Sequence, residues 1–100
     1  MKLDASLPAV PLMQVPAITR AAEQMGFQAL WASETQHDPF LPGALIAEHS
    51  QKLSFGTAVA ISFARSPANL AYQAWDLAQA SKGRFILGLY RRWWLMPRQR

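Results

Sequence analysis

The sequence predicts an α/β fold with parallel strands, arranged as β-α-β-α-β-α-β and equivalent to the N-terminal half of a (β/α)8 barrel. Short apolar segments alternate with segments whose apolar residues recur every three or four positions, which is typical of strands alternating with helices. Each strand-helix unit takes about 28 residues, close to the roughly 30 expected for each unit of an eight-unit barrel. A doubly wound open sheet is the alternative, but it would carry a glycine-rich phosphate-binding turn after the first strand, which is missing here.

The composition indicates a folded, neutral body with a basic end. Of the 100 residues, 51% are hydrophobic and 16% are charged, which favours a packed core. The net charge of +4 arises after position 90, so the body gives no sign of phosphate binding. Cysteine is absent, and no segment reads as a signal peptide or as the roughly 20 apolar residues of a membrane span. We therefore expect a cytoplasmic protein with no metal site and no nucleic-acid or membrane partner.

The first strand and the first helix are predicted within residues 1–26. Residues 1–7 (MKLDASL) form a short strand that ends before Pro8. Pro16 opens a helix, and Gly26 ends it. The apolar stripe predicted to face the sheet comprises Ile18, Ala21, Ala22 and Met25. The polar residues predicted to face away are Arg20, Glu23 and Gln24.

A second strand, residues 27–33, gives way abruptly to polar side chains. Its nearly continuous apolar character suits a strand that is covered on both faces. The polar cluster comprises Ser33, Glu34, Thr35, Gln36, His37 and Asp38. Such a cluster is typical of a site at the C-terminal ends of parallel strands. His37 is its most useful member, because imidazole gives or takes a proton near neutral pH; a loop residue without chemistry is the alternative.

The second helix spans about residues 42–51 and the third strand residues 53–61 (LSFGTAVAI). His49 is expected at the outer end of this helix, without a chemical role. The bulky face of the strand comprises Leu53, Phe55, Thr57, Val59 and Ile61. The small face comprises Ser54, Gly56, Ala58 and Ala60. This difference fits helices on one side and a crowded barrel interior on the other, with Thr57 as a barrel residue.

The third helix begins with Ser66 as its N-cap and Pro67 after it, and ends at Lys82 and Gly83. Its stripe comprises Leu70, Ala71, Ala74, Leu77, Ala78 and Ser81. Trp75 borders the stripe and is expected in the core or between helices. Residues 84–89 (RFILGL) form the fourth strand, and right-handed crossovers make all four strands parallel.

Four segments of the chain recur in order in a known family: MKLDASL, GFQALWASETQHDPF, LSFGTAVAISFARSP and ASKGRFILGL. Together they cover residues 1–89. The chain resembles the N-terminal part of luciferase-like monooxygenases, particularly the subgroup that uses a deazaflavin coenzyme (factor 420). The resemblance implies a (β/α)8 TIM barrel in which FMN or the deazaflavin lies across the C-terminal ends of the strands and passes hydride or reacts with oxygen.

The resemblance also implies roles for individual residues. Glu34 and His37 match the family's acid-and-histidine cluster, with His37 as the catalytic proton donor or acceptor and Glu34 as its orienting or charge-balancing neighbour. The residues matched to backbone approach to the cofactor are Ala60, Ile61 and Ser62. Arg65 and Pro67 match the turn into the third helix, for which loop anchoring and helix initiation are the favoured roles.

The sequence departs from the family after Leu89. The family continues with glycine and small polar residues, whereas this chain has Tyr90 followed by RRWWLMPRQR. An inward Tyr90 would occupy space that the flavin ring needs. We therefore divide the chain into a half-barrel, residues 1–89, and a divergent basic tail, residues 90–100. The tail resembles a frameshifted or truncated end, with a membrane-surface or nucleic-acid element as the alternative.

Two functional hypotheses follow from these patterns. In the first, the chain is an N-terminal fragment of a flavin- or deazaflavin-dependent oxidoreductase with a small-molecule substrate, and it neither binds cofactor nor turns over alone. In the second, it is a non-catalytic half-barrel that self-associates through the open edges of its first and fourth strands.

Overall fold

A computed structural model of the chain describes residues 3–34, 37–61 and 66–90, with Ile61 and Tyr90 described by their backbone. The strands are β1 (Asp4–Ser6), β2 (Ala29–Ala32), β3 (Ser54–Thr57), β4 (Ala60–Ile61), β5 (Phe85–Ile86) and β6 (Leu89–Tyr90). The helices are α1 (Val15–Gln24), α2 (Leu41–His49) and α3 (Pro67–Ala80), and a short 3-10 helix spans Leu12–Gln14. Of the predicted tail, residues 90–100, the structure describes the backbone of Tyr90, and residues 91–100 lie outside the described residues.

The main sheet has four strands in the order β1-β2-β3-β5, and every neighbouring pair is parallel. A second sheet joins β4 and β6, which are also parallel. Helices connect the successive strands of the main sheet. This arrangement confirms the predicted α/β class with parallel strands.

The predicted third and fourth strands are each divided into two short strands. β3 ends at Thr57 and the chain resumes pairing as β4, while β5 ends at Ile86 and resumes as β6. At the break, Thr57 Oγ1 donates to Gly88 O over 2.8 Å, and Gly88 N donates to Thr57 Oγ1 over 2.9 Å. Between β3 and β4, the buried hydroxyl of Thr57 therefore takes the place of backbone-backbone hydrogen bonds to the neighbouring segment. The pattern of apolar residues could not predict this break in the strand. Thr57 is 1% exposed and serves the framework, as predicted.

The helices pack on one face of the main sheet. The strand register places Ala5, Leu30, Phe55 and Phe85 in one row across the four strands. These side chains join the core, whose buried members are Val15, Ala22, Leu30, Phe40, Ile46, Ala47, Leu53, Phe55, Ala60, Leu70 and Leu77. Because side chains alternate along a strand, the adjacent row faces the opposite side. That row comprises Ser6, Trp31, Gly56 and Ile86.

The buried stripe of α1 differs from the predicted one. Val15, Thr19 and Ala22 are buried, whereas Ala21 is exposed and Met25 is 73% exposed. The helix packs mainly against α2, so its buried side is rotated from the side that apolarity indicates. The prediction for this helix was therefore right about its existence and about the burial of Ala22, and wrong about Ala21 and Met25.

The start of α3 agrees with the sequence, but its aromatic residue does not. Ser66 Oγ accepts from the amide of Asn69 over 3.0 Å, and Pro67 is the first helical residue. Trp75 is 71% exposed, so its expected packing in the core or between helices is wrong for the described part of the chain. It lies two residues before the buried Leu77, and with about 3.6 residues per turn this places it on the far side of the helix.

Glu23 fixes the loop between α2 and β3 at the N-terminal ends of the strands. Its carboxylate accepts three successive backbone amides: Gln51 at 2.9 Å, Lys52 at 2.6 Å and Leu53 at 3.0 Å. Glu23 is half-buried in this position. The sequence-based expectation that it faces away from the packed structure is therefore wrong, because three unpaired amides of the loop bind its carboxylate.

Arg84 holds the same loop from its other side. Its guanidinium donates to the carbonyls of Ser81 (2.8 Å), Leu53 (2.8 Å), Ala47 (3.2 Å) and Ser50 (3.3 Å), and to Ser50 Oγ (2.7 Å). Each of these contacts joins the start of β5 to α2, to the following loop or to the end of α3. The N-terminal rim of the sheet is thus closed by two charged side chains.

Candidate functional site

The candidate site lies at the opposite rim, beyond the C-terminal ends of the strands. A cleft of about 40 Å³ opens there between the loop after β1 and the loop after β2. Its lining comprises Leu7, Pro8, Ala9, Val10, Ala32, Ser33, His37, Asp38 and Pro42. The polar cluster predicted after the second strand therefore contributes His37, Asp38 and Ser33 to one concave surface.

His37 is exposed on this rim. It follows β2, at the rim where the C-terminal ends of the parallel strands β1, β2 and β3 meet. In parallel α/β folds, catalytic residues are usually found at this rim. Its neighbours Thr35 and Gln36 lie outside the described residues. Glu34 is half-buried at the start of the same loop. Their catalytic assignment remains a prediction.

Asp38 anchors the loop that carries His37. Asp38 Oδ2 accepts from the amides of Phe40 and Leu41, both at 2.7 Å. The amide of Leu41, the first residue of α2, and that of Phe40 before it are thereby satisfied, and the backbone beside His37 is tied to the helix start. This role of Asp38 was not predicted from the sequence, although an aspartate shortly before a helix is a recognisable capping signal.

The three residues assigned to the cofactor fall at or after β4. Ala60 is buried, and its amide donates to Gly88 O over 2.9 Å. The backbone of Ile61 pairs with that of Tyr90, while Ser62 and Arg65 lie outside the described residues. Because β4 extends the line of β3 beyond its C-terminal end, Ala60 and Ile61 belong to the same rim as His37. Their contact with a cofactor remains a prediction.

The face of the sheet opposite the helices carries a tryptophan that the sequence analysis did not single out. Trp31 Nε1 donates to Asp4 Oδ2 on the neighbouring strand over 3.1 Å. The indole crosses Gly56, where an added Cβ would come within 2.9 Å of Trp31 Cζ3 and would overlap the carbonyl oxygen of Ile86. The signal that could have found this arrangement is a large aromatic residue level with a glycine on the next strand.

The other histidine is placed differently. His49 ends α2 at the N-terminal rim, as expected. Arg20 Nη1 lies 3.1 Å from His49 Nδ1, and His49 Nε2 lies 3.4 Å from Glu48 Oε1. Both ring nitrogens of His49 thus have neighbours within the fold.

The rim cleft, as the described residues form it, does not fit a flavin-sized ring. Pockets that bury a ligand of that size measure roughly 300 to 1,000 Å³, whereas the rim cleft is about 40 Å³. The walls of the cleft come from the loops after β1 and β2, from Ala32 at the end of β2 and from Pro42 in the first turn of α2. The rim therefore provides a proton-carrying side chain without an enclosure for a cofactor.

Within the residues that the structure describes, no group of three or more histidine, aspartate or glutamate side chains is arranged to hold a metal ion. Of the three helices described above, none combines the length and apolarity needed to cross a bilayer.

Comparison with known proteins gives one family. The model of the luciferase-like monooxygenase family matches residues 3–99. An uncharacterised protein of Mycobacterium tuberculosis is 47% identical over 89 residues, which is 89% of this chain and 26% of that protein. The chain therefore spans about a quarter of the length of the curated relatives it matches.

Solved structures agree on the fold. The coenzyme F420-dependent tetrahydromethanopterin reductase of Methanopyrus kandleri superposes with a TM-score of 0.78 at 22% identity, covering 87% of this chain and 26% of the reductase. The oxygenating constituent of 3,6-diketocamphane monooxygenase of Pseudomonas putida, in complex with FMN, gives 0.79 at 20% identity, covering 90% and 29%. Both are TIM barrels, of which this chain matches a part. By its family model, its sequence relatives and its fold, the chain belongs to the luciferase-like monooxygenase family.

Proposed function

We propose that this chain supplies the first strand-helix units of a flavin- or deazaflavin-dependent oxidoreductase that acts on a small molecule, with His37 as proton donor or acceptor. The observation that carries the proposal is the exposed position of His37 beside the rim cleft, in a chain of this family. The structural neighbours include both a coenzyme F420-dependent reductase and a monooxygenase in complex with FMN, so both cofactor classes stay open.

Three residues of the rim have distinct parts in this proposal. His37 reaches a substrate atom from the open side of the cleft, since a general acid or base must come within about 2.6 to 3.2 Å of the proton it moves. Asp38 fixes the backbone next to His37 through the amides of Phe40 and Leu41. Glu34, half-buried at the end of β2, orients or balances the charge of His37.

We also propose that the 100-residue chain alone binds no cofactor tightly. The rim cleft is too small to bury a tricyclic ring, and the helix-free face leaves the ring without a second wall. Titration with oxidised and reduced FMN and deazaflavin coenzyme, followed by absorbance and fluorescence, should show no saturable binding. Micromolar affinity, about −8 kcal/mol of binding free energy, would contradict this part of the proposal.

The role of His37 can be tested in a completed barrel. Residues 1–89 of this chain would replace the matching segment of the Mycobacterium tuberculosis relative, whose 47% identity makes the exchange compatible with folding. The chimera is expected to bind one of the two cofactors, and the spectrum of the bound cofactor is expected to depend on pH. His37→Gln should remove that dependence.

His49→Gln is the matched control for this experiment. It makes the same chemical change at the opposite rim, where His49 contacts Arg20 and Glu48. The control should keep both binding and pH dependence. A chimera in which His37→Gln retains the parental pH profile, or in which both variants change it equally, would show that His37 does not face the reacting ring.

A further inference from the structure

The N-terminal rim carries a groove between the C-terminal ends of α2 and α3. Its volume is about 650 Å³, against about 40 Å³ for the rim cleft at the other end of the strands. Ala47 and Ser50 line it from the end of α2, and Ala80 and Ser81 line it from the end of α3. Pockets that bury small organic molecules measure roughly 300 to 1,000 Å³. The groove therefore has the volume of a ligand site.

The described lining of this groove contains two cations, Lys82 and Arg84, and no carboxylate. Arg84 donates all five of its N–H groups to protein acceptors, so none is left for a ligand. The charge of Arg84 also interacts with that of Glu23. Lys82, in contrast, is exposed and forms no ion pair with any described residue. Its ammonium is therefore the group of the lining that can bind an anion.

Lys82 also has an unusual backbone conformation. Its φ is 56°, and among the described residues it is the only residue other than glycine with a positive φ. It ends α3 with two hydrogen bonds, from Lys82 N to Gln79 O and from Gly83 N to Ala78 O. Glycine or asparagine is usual at such a position, so helix termination does not explain a lysine there. Left-handed residues other than glycine are found preferentially at functional sites, including ligand clamps.

The walls of the groove are fixed before any ligand binds. Carbonyl groups at the C-terminal end of a helix repel an anion. Arg84 offsets that repulsion, because it donates to carbonyls at the ends of both helices. The carboxylate of Glu23 holds the amides of residues 51–53 beside it. A ligand would therefore lose little free energy to the ordering of its site.

We propose that this groove binds a small organic molecule through an oxyanion, either a carboxylate or a phosphate, with Lys82 as the main contact. A lysine ammonium binds such groups as a compact charge with three donors. The exposed side chain of Gln51 supplies a neutral amide donor, and the methyl groups of Ala47 and Ala80 offer apolar contact. The groove lies at the rim opposite His37 and needs no redox cofactor. This proposal and the proposed function can therefore fail separately.

The first test is an NMR titration of the purified chain, labelled with ¹⁵N, at fixed pH. Inorganic phosphate and acetate are added in separate experiments, and sodium chloride keeps the ionic strength constant. With at least one of them, the amides of Gln51, Lys82 and Gly83 should shift in a saturable way, which identifies the preferred group. The amides of Ser33 and Asp38, at the rim cleft, should not shift with the same dependence.

The second test changes the proposed contact. Lys82→Gly removes the ammonium and suits a φ of 56°, so the midpoint of thermal unfolding should stay or rise. The dissociation constant of the anion should rise at least about tenfold, because hydrogen bonds to charged groups are the stronger ones. Lys82→Arg, which keeps the charge, should retain binding. Lys52→Ala is the matched control: it removes an exposed cation of the same rim that does not line the groove.

Three results would overturn the proposal. One is the absence of saturable shifts with both phosphate and acetate, and another is a set of shifts that sodium chloride alone reproduces. The third is an equal loss of binding in Lys82→Gly and Lys52→Ala, which would show a response to the general charge of the rim. If Lys82→Gly does not fold, Lys82→Gln, which keeps a long side chain without its charge, decides in its place.

Discussion

The two rims of this sheet use their charged side chains in opposite ways. At the N-terminal rim, Glu23 and Arg84 are fully engaged: one accepts three loop amides, and the other donates to carbonyls from three segments. At the C-terminal rim, Asp38 binds the start of α2, while His37 stands exposed beside a cleft. The charged side chains of the N-terminal rim stabilise the fold, whereas at the C-terminal rim the side chain of His37 is exposed.

This difference follows from what each loop must satisfy. The loop between α2 and β3 presents three consecutive amides, and the carboxylate of Glu23 accepts from all of them. Arg84 donates to carbonyls at the same rim, among them those of Ala47, Ser50 and Leu53. In barrels of this class, residues at the N-terminal rim serve stability and residues at the C-terminal rim serve chemistry.

Arg84→Ala should destabilise the fold more than any other change at either rim. It removes five hydrogen bonds and leaves the carbonyls of Leu53 and Ala47 without their donor. We expect a loss of about 3 kcal/mol in the free energy of unfolding. Urea denaturation at fixed protein concentration measures it. Lys82→Ala, an exposed cation two residues earlier, is the control and should change stability by less than about 0.5 kcal/mol.

Glu23→Gln should cost about 2 kcal/mol near neutral pH, because it removes the charge from three charge-assisted hydrogen bonds. The cost should depend on pH. Burial opposes ionisation of Glu23, but the amides of Lys52, Gln51 and Leu53 and the charge of Arg84 outweigh it, so the pKa of Glu23 lies below its ordinary 4.5.

The direction of that dependence follows from the lowered pKa. The folded state holds the proton of Glu23 less tightly than the unfolded state, so the stabilisation is fully present above pH 4.5 and is lost as pH falls through the folded value. The advantage of the unchanged protein over Glu23→Gln should shrink below pH 4.5. Glu48→Gln, an exposed glutamate, is the control. A constant difference across the acid range would contradict engagement of the ionised carboxylate.

Asp38→Ala should have a smaller effect on stability, about 1 kcal/mol, because it removes the cap at the start of α2. Urea denaturation checks the size, with Asp76→Ala on the exposed side of α3 as a control of equal charge change. If Asp38→Ala lowered the free energy of unfolding as much as Arg84→Ala, the difference between the rims would be contradicted, since the C-terminal rim would then also stabilise the fold.

His37→Gln should leave stability unchanged within about 0.5 kcal/mol, because its side chain is exposed. His49→Gln is the matched change at the other rim, where the contacts with Arg20 and Glu48 are lost. Thermal unfolding of the two variants at one pH measures both. If His37→Gln is the more destabilising of the two, His37 belongs to the framework and its availability for chemistry is contradicted.

Several elements were predictable because their causes are local. Ser66 and Pro67 start α3 through a side-chain cap and a preset backbone angle, both readable within four residues. Gly83 follows α3 with a φ of 85°, as a glycine after a helix indicates. The alternation of strands and helices came from hydrophobic periodicity, which needs no knowledge of partners.

Other features depended on residues far apart in the chain. Glu23 looked like a solvent-facing position of α1, because its partners lie near position 52. Arg84 looked like the first residue of a strand, yet most of its acceptors lie more than 30 positions earlier. The break between β3 and β4 needed Thr57 to meet Gly88 from the fourth strand segment. Local patterns contain none of these pairings.

The sequence by itself determined the class of fold, the order of its elements and the polar cluster around His37, since propensity, capping and periodicity act over a few residues. The tertiary structure alone decided which side of α1 is buried, which charges close the N-terminal rim and that Trp31 lies across Gly56. Those outcomes are set by packing and hydrogen bonding between segments that meet only after folding.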